Sequence, residues 1–553
     1  MPDMQTGPSA VHQAPGETLE AVIVGAGFAG LYMLHKLRGL GLSARVFEAA
    51  DGVGGTWYWN RYPGARCDVE SMQYSFSFLE ELQQEWRWSE RFAGQPEILR
   101  YANHVADRLD LRRDIRFETR VTAAMFDEAA DRWAVETDRG DRVSAQYVVM
   151  ATGCLSAARL PDIAGLAEFG GATYHTGHWP HGGVDFVGKR VAVVGTGSSA
   201  IQAIPVIARQ AAHCTVFQRT PNFSIPSRNG PMEPEYEGAW KAEYPERRAA
   251  ARQMRTGILN GLNVKSAMEV TPQERQREYE ARWALGGTAF MASFSDLSTN
   301  QDSNDTAADF VRSKIRELVR DPAVAEILLP HNHPIGTKRI CVDTDYYQTF
   351  NRENVTLVDV RRSPIEAITA TGLRTRDGSY AVDAIVFATG FDAMTGAVLK
   401  VDIRGRGGLA LRPKWEDGPR TQLGLMTAGL PNLFLITGPG SPSVLSNMMV
   451  SIEQHVDWVA ECMEHMRAHG LASIEATQQA EDDWVAHGNE VANKTLYPLA
   501  NSWYMGANIP GKPQVFMPYI GGVGVYRQTC DEVAAAGYPG FRLTPQRVAA
   551  AAE

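Results

Sequence analysis

Cysteine is sparse in this 553-residue chain, and its six copies (Cys67, Cys154, Cys214, Cys341, Cys462, Cys530) form no CxxC or CxxxxC pair. That excludes a local redox disulfide and a cysteine-based zinc cluster; no metal site is expected, and reduced thiols in a cytoplasm fit better than a disulfide framework. Long apolar runs are missing too: none approaches the roughly 18 residues of a membrane helix. The start, Met1–Glu20, is polar with Pro and Gly and has no apolar centre. It therefore reads as no secretory signal, and a disordered leader is expected over 1–18. A basic excess is absent: the net charge of −10 argues against a nucleic-acid partner. What remains is a soluble globular chain, 44% hydrophobic and 21% charged, too long for one core.

Two glycine-rich turns stand out against that background. The first, Gly25-Ala26-Gly27-Phe28-Ala29-Gly30, follows the apolar run Ala21–Val24 and opens a helix expected to reach about Leu40. A strand over Ala44–Glu48 ends in an acid 18 residues after Gly30. Strand, turn, helix and acid together make a dinucleotide cradle. The glycines let backbone approach a pyrophosphate at the helix N-terminus, and Glu48 accepts from the adenosine ribose. An acid there repels a 2′-phosphate, so FAD is expected, with NAD as the other fit. The second turn, Gly195-Thr196-Gly197-Ser198-Ser199-Ala200, follows Val191–Val194, and its next strand ends in Arg219-Thr220 instead of an acid. A guanidinium and a hydroxyl at that position suit a 2′-phosphate and point to NADPH, with Lys338 as a second cation. Two cradles suggest two redox cofactors exchanging electrons.

The fold class expected is α/β, with two Rossmann-like dinucleotide-binding domains and a mostly helical insertion. The first domain is assigned to 19–155 and 392–543, the second to 156–222 and 335–391. The insertion is 223–334, where charges and alanines replace turn formers, and 544–553 is a tail. Residues 115–150 read as a small antiparallel meander closed by Ala151-Thr152-Gly153. The echo Ala388-Thr389-Gly390 closes the short strands of 355–390. A strand over Leu433–Thr437 and a long helix around Ser446–His465 follow. Gly438-Pro439-Gly440 is read as aiming that helix's N-terminus at a flavin.

Between the cradles lies Phe169-Gly170-Gly171-Ala172-Thr173-Tyr174-His175-Thr176-Gly177-His178-Trp179-Pro180. This FxGxxxHxxxWP string resembles the fingerprint of type I Baeyer–Villiger monooxygenases, and the likeness runs from Ala21 to about Leu543. It implies NADPH- and O2-dependent conversion of ketones to esters or lactones through a C4a-peroxide of the reduced flavin, with sulfides as side substrates. By the same resemblance Gly25, Gly27, Phe28, Ala29, Gly30, Glu48, Gly55, Thr56, Trp57, Tyr58, Trp59, Asp68 and Tyr74 hold FAD, with Val121 near its adenine and Met448 near the flavin. Arg66, Cys67, Gly195, Thr196, Gly197, Ser198, Ser199, Ala200, Gln202, Arg219, Thr220, Lys338, Arg339 and Trp503 hold NADPH. Arg339 is the implied catalytic arginine, oriented by Asp68; a fixed guanidinium stabilises peroxide and oxyanion. His175, Trp179 and Pro180 are the implied hinge. Cys154, Leu155, Ser443, Val444, Leu445 and Ser446 are expected in the substrate pocket, where Cys154 departs from a relative that carries a polar amide. The partners expected are a small-molecule ketone and O2, with no nucleic acid and no membrane, for a monomer or weak oligomer. Two alternatives stay open: a flavin monooxygenase acting on nitrogen or sulfur, which needs no catalytic arginine, and a redox sensor binding FAD and NADP without turnover.

Overall fold

The computed structural model describes residues 16–546. The first apolar run is the inner half of a strand, Glu17–Val24, in which Ala21, Val22 and Ile23 are fully buried. Both faces are covered, as parallel sheets require. It pairs in parallel with Ala44–Phe47 on one side and with Arg142–Met150 on the other. The helix Phe28–Gly39 packs over this unit together with the long helix Met448–Ala468. The strand begins at Glu17, so residues 17–18 do not belong to the expected leader 1–18; residues 1–15 lie outside the described residues. At the other end Phe541–Pro545 is a strand against Leu471–Ala476, which removes 544–545 from the expected tail. Residues 547–553 lie outside the described residues.

The expected meander is part of something larger. Val121–Asp127, Arg132–Thr137 and Arg142–Met150 are antiparallel neighbours. Ile115–Arg116, however, crosses to the far edge and pairs in parallel with Val46–Phe47. The strand Arg142–Met150 is long enough to serve two partners on one side: Val143–Ala145 faces the meander, and Val148–Met150 faces Leu433–Leu435. That last pairing returns the chain to the first sheet after its excursion. The long helix starts at Met448 instead of Ser446, and the Asn447 side chain accepts from the Met449 amide as its cap.

The second sheet is wholly parallel, in the order Val355–Asp359, His213–Gln218, Arg190–Val194, Ala384–Phe387, Ala172–His175. Its crossover helix is Ser198–Gln210. Between Ser224–Pro226 and Cys341–Asp343, which pair with each other, five helices run from Pro234 to Leu328. Thr271 opens one of them with a reciprocal capping box to Glu274. These helices do not form a free-standing lobe. Tyr279, Phe290 and Phe310 share one buried cluster with Ile201, Ile204 and Val216 of the second unit. Among the described residues no helix is long and apolar enough to cross a membrane.

Candidate active site

The two glycine turns are built alike to a degree that sequence spacing only suggests. Gly25 and Gly195 have φ of +106° and +113°, and a Cβ on either would sit 2.7 Å and 2.5 Å from the carbonyl oxygens of Ala151 and Ala388. Those alanines open the two Ala-Thr-Gly echoes, so each echo backs its own cradle. The strain and the close approach both demand glycine. The helices that follow begin at Gly27 and Gly197 without any side-chain cap. Their first-turn amides are therefore left for a ligand, and a Cβ at Gly197 would meet nothing within 4 Å. Both cradles fit a dinucleotide pyrophosphate.

Glu48 is buried, and burial raises its pKa against the pull of its hydrogen bonds. Its Oε2 accepts from the Ala26 amide at 2.6 Å and its Oε1 from the Ala50 amide at 2.8 Å. It thus braces the glycine turn from behind, a role beyond the ribose contact expected of it. In the second unit Thr196 donates to the Thr220 carbonyl at 2.8 Å, and Asn222 donates to the Thr196 carbonyl at 2.8 Å. Asn222 escaped notice in the sequence because nothing local marks it. Arg219 is exposed, and its charge helps depress the pKa of Lys338, after burial. The two cations expected at a 2′-phosphate are thus neighbours in space. Lys338 also donates to the Asn501 carbonyl at 2.8 Å, which draws in the turn carrying Trp503.

Asp68 and Arg339, 271 residues apart, meet side-on. Arg339 Nε donates to Oδ2 at 2.7 Å and Nη2 to Oδ1 at 2.8 Å, while Nη1 donates to the Val444 carbonyl at 2.6 Å. Burial alone would depress the guanidinium pKa, but the Asp68 charge and hydrogen bonds outweigh it and the pKa is raised. The pair is not sealed: the Arg339 side chain is 30% exposed and that of Asp68 18%. Three of the five N–H donors of an arginine are engaged, and the Tyr504 hydroxyl lies against the same group. At least one donor is left for a ligand.

Around this fork the chain assembles an apolar wall from distant loops. Cys154, Ala393, Met394, Val444, Tyr504 and Met517 form one buried cluster, with Leu155, Leu445, Met448 and Trp503 packed on it. Ser443 donates to the Cys154 sulfur at 3.6 Å, and burial pushes that thiol's pKa up, so it stays protonated at neutral pH. Ser446 is committed to the Ser443 carbonyl and the Ser451 hydroxyl. Met394, Tyr504 and Met517 were missed in the sequence; isolated methionines and tyrosines carry no positional signal there.

Other expected residues take structural places. Trp57 donates to the Tyr74 hydroxyl at 3.1 Å, so these two flavin candidates support each other. The rings of Tyr58 and Trp59 pack edge-on against His181 and His178, which brings the fingerprint string onto the aromatic segment. The guanidinium of Arg66 is turned to Glu90 and the Phe92 carbonyl. Gln202 spends its amide on the loop that carries Asp68: it accepts from Tyr62 Oη at 2.8 Å and donates to the Arg66 carbonyl at 3.1 Å. Gly64 in that loop lies so close to the Gln202 backbone that a Cβ would be 2.4 Å from its carbonyl. His175 accepts the Gly177 amide on Nδ1, and burial, with His178 second, lowers its pKa to about 4. The neutral ring therefore carries its proton on Nε2, facing Thr389 and the Arg159 carbonyl. Trp179 is buried against Tyr174 and Phe186 in the second unit's core. Val121 lies on the first sheet opposite Thr137.

Comparison with known proteins adds to this geometry. Residues 22–255 match the family described as pyridine nucleotide-disulphide oxidoreductase; all six cysteines here are nonetheless free. The chain is 43% identical to an acetone monooxygenase (methyl acetate-forming) of Gordonia sp. (strain TY-5), over 95% of this chain and 99% of the relative. It is 43% identical to a Baeyer–Villiger monooxygenase of Pseudooceanicola batsensis, over 95% and 96%. It is 42% identical to a phenazine N-monooxygenase of Lysobacter antibioticus, over 95% and 97%. Among solved structures, an oxidized steroid monooxygenase bound to NADP is 54% identical, with TM-score 0.92 over 96% of this chain and 100% of that one.

Proposed function

This chain belongs to the Baeyer–Villiger monooxygenases, and on that footing we propose that Arg339, held by Asp68, is the residue on which its ketone oxygenation turns. The protein is an FAD-dependent, NADPH-using monooxygenase that converts ketones to esters or lactones. Bound flavin, reduced by hydride from NADPH, supplies the electrons with which O2 is activated. The chain's own task is to manage charge and water. Attack of an oxygen nucleophile on a ketone leaves negative charge on the former carbonyl oxygen. A guanidinium already fixed by a bidentate carboxylate meets that charge without reorganising. The apolar cluster of Cys154, Met394, Val444 and Met517 keeps water away and strengthens the interaction. Arg219 and Lys338 are placed to select NADPH over NADH, and His175 and Trp179 join the linker to the second sheet as a hinge.

The observation that carries this reading is the bidentate Asp68–Arg339 pair with a donor to spare beside an apolar wall. A ketone panel run with purified holoenzyme, NADPH and isotopically heavy O2 tests it. Esters carrying one labelled oxygen support the reading; NADPH consumption that yields only hydrogen peroxide with every ketone refutes it. Sulfides are proposed as side substrates. A second reading, oxygenation of a ring nitrogen, is favoured by the phenazine N-monooxygenase among the relatives. That chemistry needs no arginine, so the dependence of each product on Arg339 separates the two. The six buried, unbridged thiols support a reducing compartment, and we infer a cytoplasmic monomer or weak oligomer.

A further inference from the structure

The helix Met448–Ala468 grips the pocket loop at both feet, through two buried side chains four residues apart on one face, Ser451 and His455. At one foot the Thr437 amide donates to His455 Nδ1 at 2.8 Å. At the other the Ser446 hydroxyl donates to the Ser443 carbonyl at 2.7 Å, so the 2.6 Å bond between Ser446 and Ser451 takes its hydrogen from Ser451. The Ser443 hydroxyl, which also faces Cys154, donates back to the Thr437 carbonyl at 3.3 Å. All five residues are buried. They close a polar ring under the loop, and the residue after Ser443 is Val444, whose carbonyl takes Arg339 Nη1.

The ring holds the loop against its own preference. Thr437 and Ser443 have φ of +55° and +32°, a region disfavoured for any residue with a Cβ and most of all for a β-branched one. Such backbone persists only where its surroundings fix it. The tip of the loop is tied from the other side, where Thr421 donates to the Pro439 carbonyl at 2.7 Å and Trp484 to the Gly440 carbonyl at 2.9 Å. The feet fall to the helix. His455 is neutral, because burial, with the Arg527 charge second, lowers its pKa to about 3. With Nδ1 accepting, its proton sits on Nε2, which has no hydrogen-bond partner among the described residues; the Tyr526 ring lies 5.5 Å away, centre to centre. An apolar side chain would fill this place without leaving a donor unmet. What the imidazole adds is the acceptor for Thr437.

We propose, on the reading of Arg339 as the catalytic arginine, that His455 is a positioning residue of the oxygenation: with Ser451 at the other foot, it fixes the loop so that the Val444 carbonyl anchors Arg339. His455→Leu and His455→Asn test this in the FAD-loaded enzyme, because the two side chains match in size and differ in the acceptor that replaces Nδ1. Ester formed per NADPH and hydrogen–deuterium exchange of residues 437–446 are measured for each. The leucine variant should lose ester yield about tenfold, less than outright removal of an oxyanion donor, with its NADPH KM within about twofold of the parent's. Its loop should exchange faster. The asparagine variant should keep both the yield and the slow exchange. Ser451→Ala, a change a helix accommodates readily, should shift both readouts in the direction of the leucine variant, and it decides the matter if that variant does not accumulate with FAD. The proposal is overturned if the leucine and asparagine variants behave alike, if exchange quickens without loss of ester, or if Ser451→Ala, standing in, matches the parent. Arg339→Ala at the parent's ester yield would instead refute the reading of the ion pair, and exchange of 437–446 would still judge whether His455 holds the loop.

Discussion

Replacing Arg339 by alanine removes a cation and every donor it presents to the reacting oxygen. Loss of a single oxyanion donor typically costs about 10²–10³ in rate, or about 2.7–4 kcal/mol. Since three arginine donors are spent on Asp68 and Val444, what reaches the substrate is one or two N–H groups plus the charge. The expected fall in ketone oxygenation is therefore at least about 10². Arg339→Lys distinguishes charge from geometry. A lysine keeps the charge but has no planar fork, so it cannot face both Asp68 oxygens, the Val444 carbonyl and a substrate oxygen together. Its expected loss lies between parent and alanine, at about tenfold or more. The assay is ester formed per NADPH consumed, with flavin content measured in parallel. NADPH oxidation should persist while ester formation collapses, and sulfoxidation should fall far less. Ketone oxygenation by the alanine variant at the parent's rate, with FAD fully bound, would refute the reasoning.

Other consequences are open to measurement. Arg219→Ala should raise the NADPH KM by about 10–100-fold and leave the NADH KM nearly unchanged, because a charge-assisted hydrogen bond contributes about 1.5–3 kcal/mol; equal losses for both cofactors would rule out a 2′-phosphate contact. Gly195→Ala places a Cβ 2.5 Å from the Ala388 carbonyl at φ +113°, so stability should drop by about 1–3 kcal/mol in urea unfolding and NADPH affinity should weaken, with FAD content intact. Burial holds the His175 pKa at about 4, below the unfolded 6.5, so the unfolded chain binds the extra proton between those values. Its contribution is full above pH 6.5 and is lost as pH falls toward 4, on the order of 3 kcal/mol; His175→Asn should flatten that part of the stability–pH curve, and an unchanged curve would reject the assignment. Gly64→Val should disturb the loop bearing Asp68 through its clash with the Gln202 carbonyl, lowering ester yield per NADPH more than NADPH binding; the opposite order would show that the loop serves the cofactor first.

Much of the architecture could be read from residue order alone. A glycine turn between an apolar strand and a helix states its own geometry, because φ and hydrogen-bond demands are met within a few residues. For the same reason the Glu48 and Arg219 strand ends, the Ala-Thr-Gly echoes and the fingerprint string were visible. Local pattern misplaced what depends on partners far away. Ile115–Arg116 left the meander for the opposite sheet edge, and Glu17 and Thr544 joined strands whose polar residues gave no apolar signal.

The site divides along the same line. The family resemblance of the fingerprint string named Asp68, Arg339, Cys154 and Ser443 as candidates, but only packing brings Arg339 onto Asp68 and Val444 and closes Met394, Tyr504 and Met517 around them. Sequence determined the two nucleotide cradles and the sign of the charge each presents, since those are properties of short segments. Tertiary structure alone decided the wall of the pocket, the bracing of the first turn by Glu48 and the strap from Gln202 to the Asp68 loop. Contacts across hundreds of residues are selected by the burial of whole sheets and helices, and no short stretch of chain carries that information.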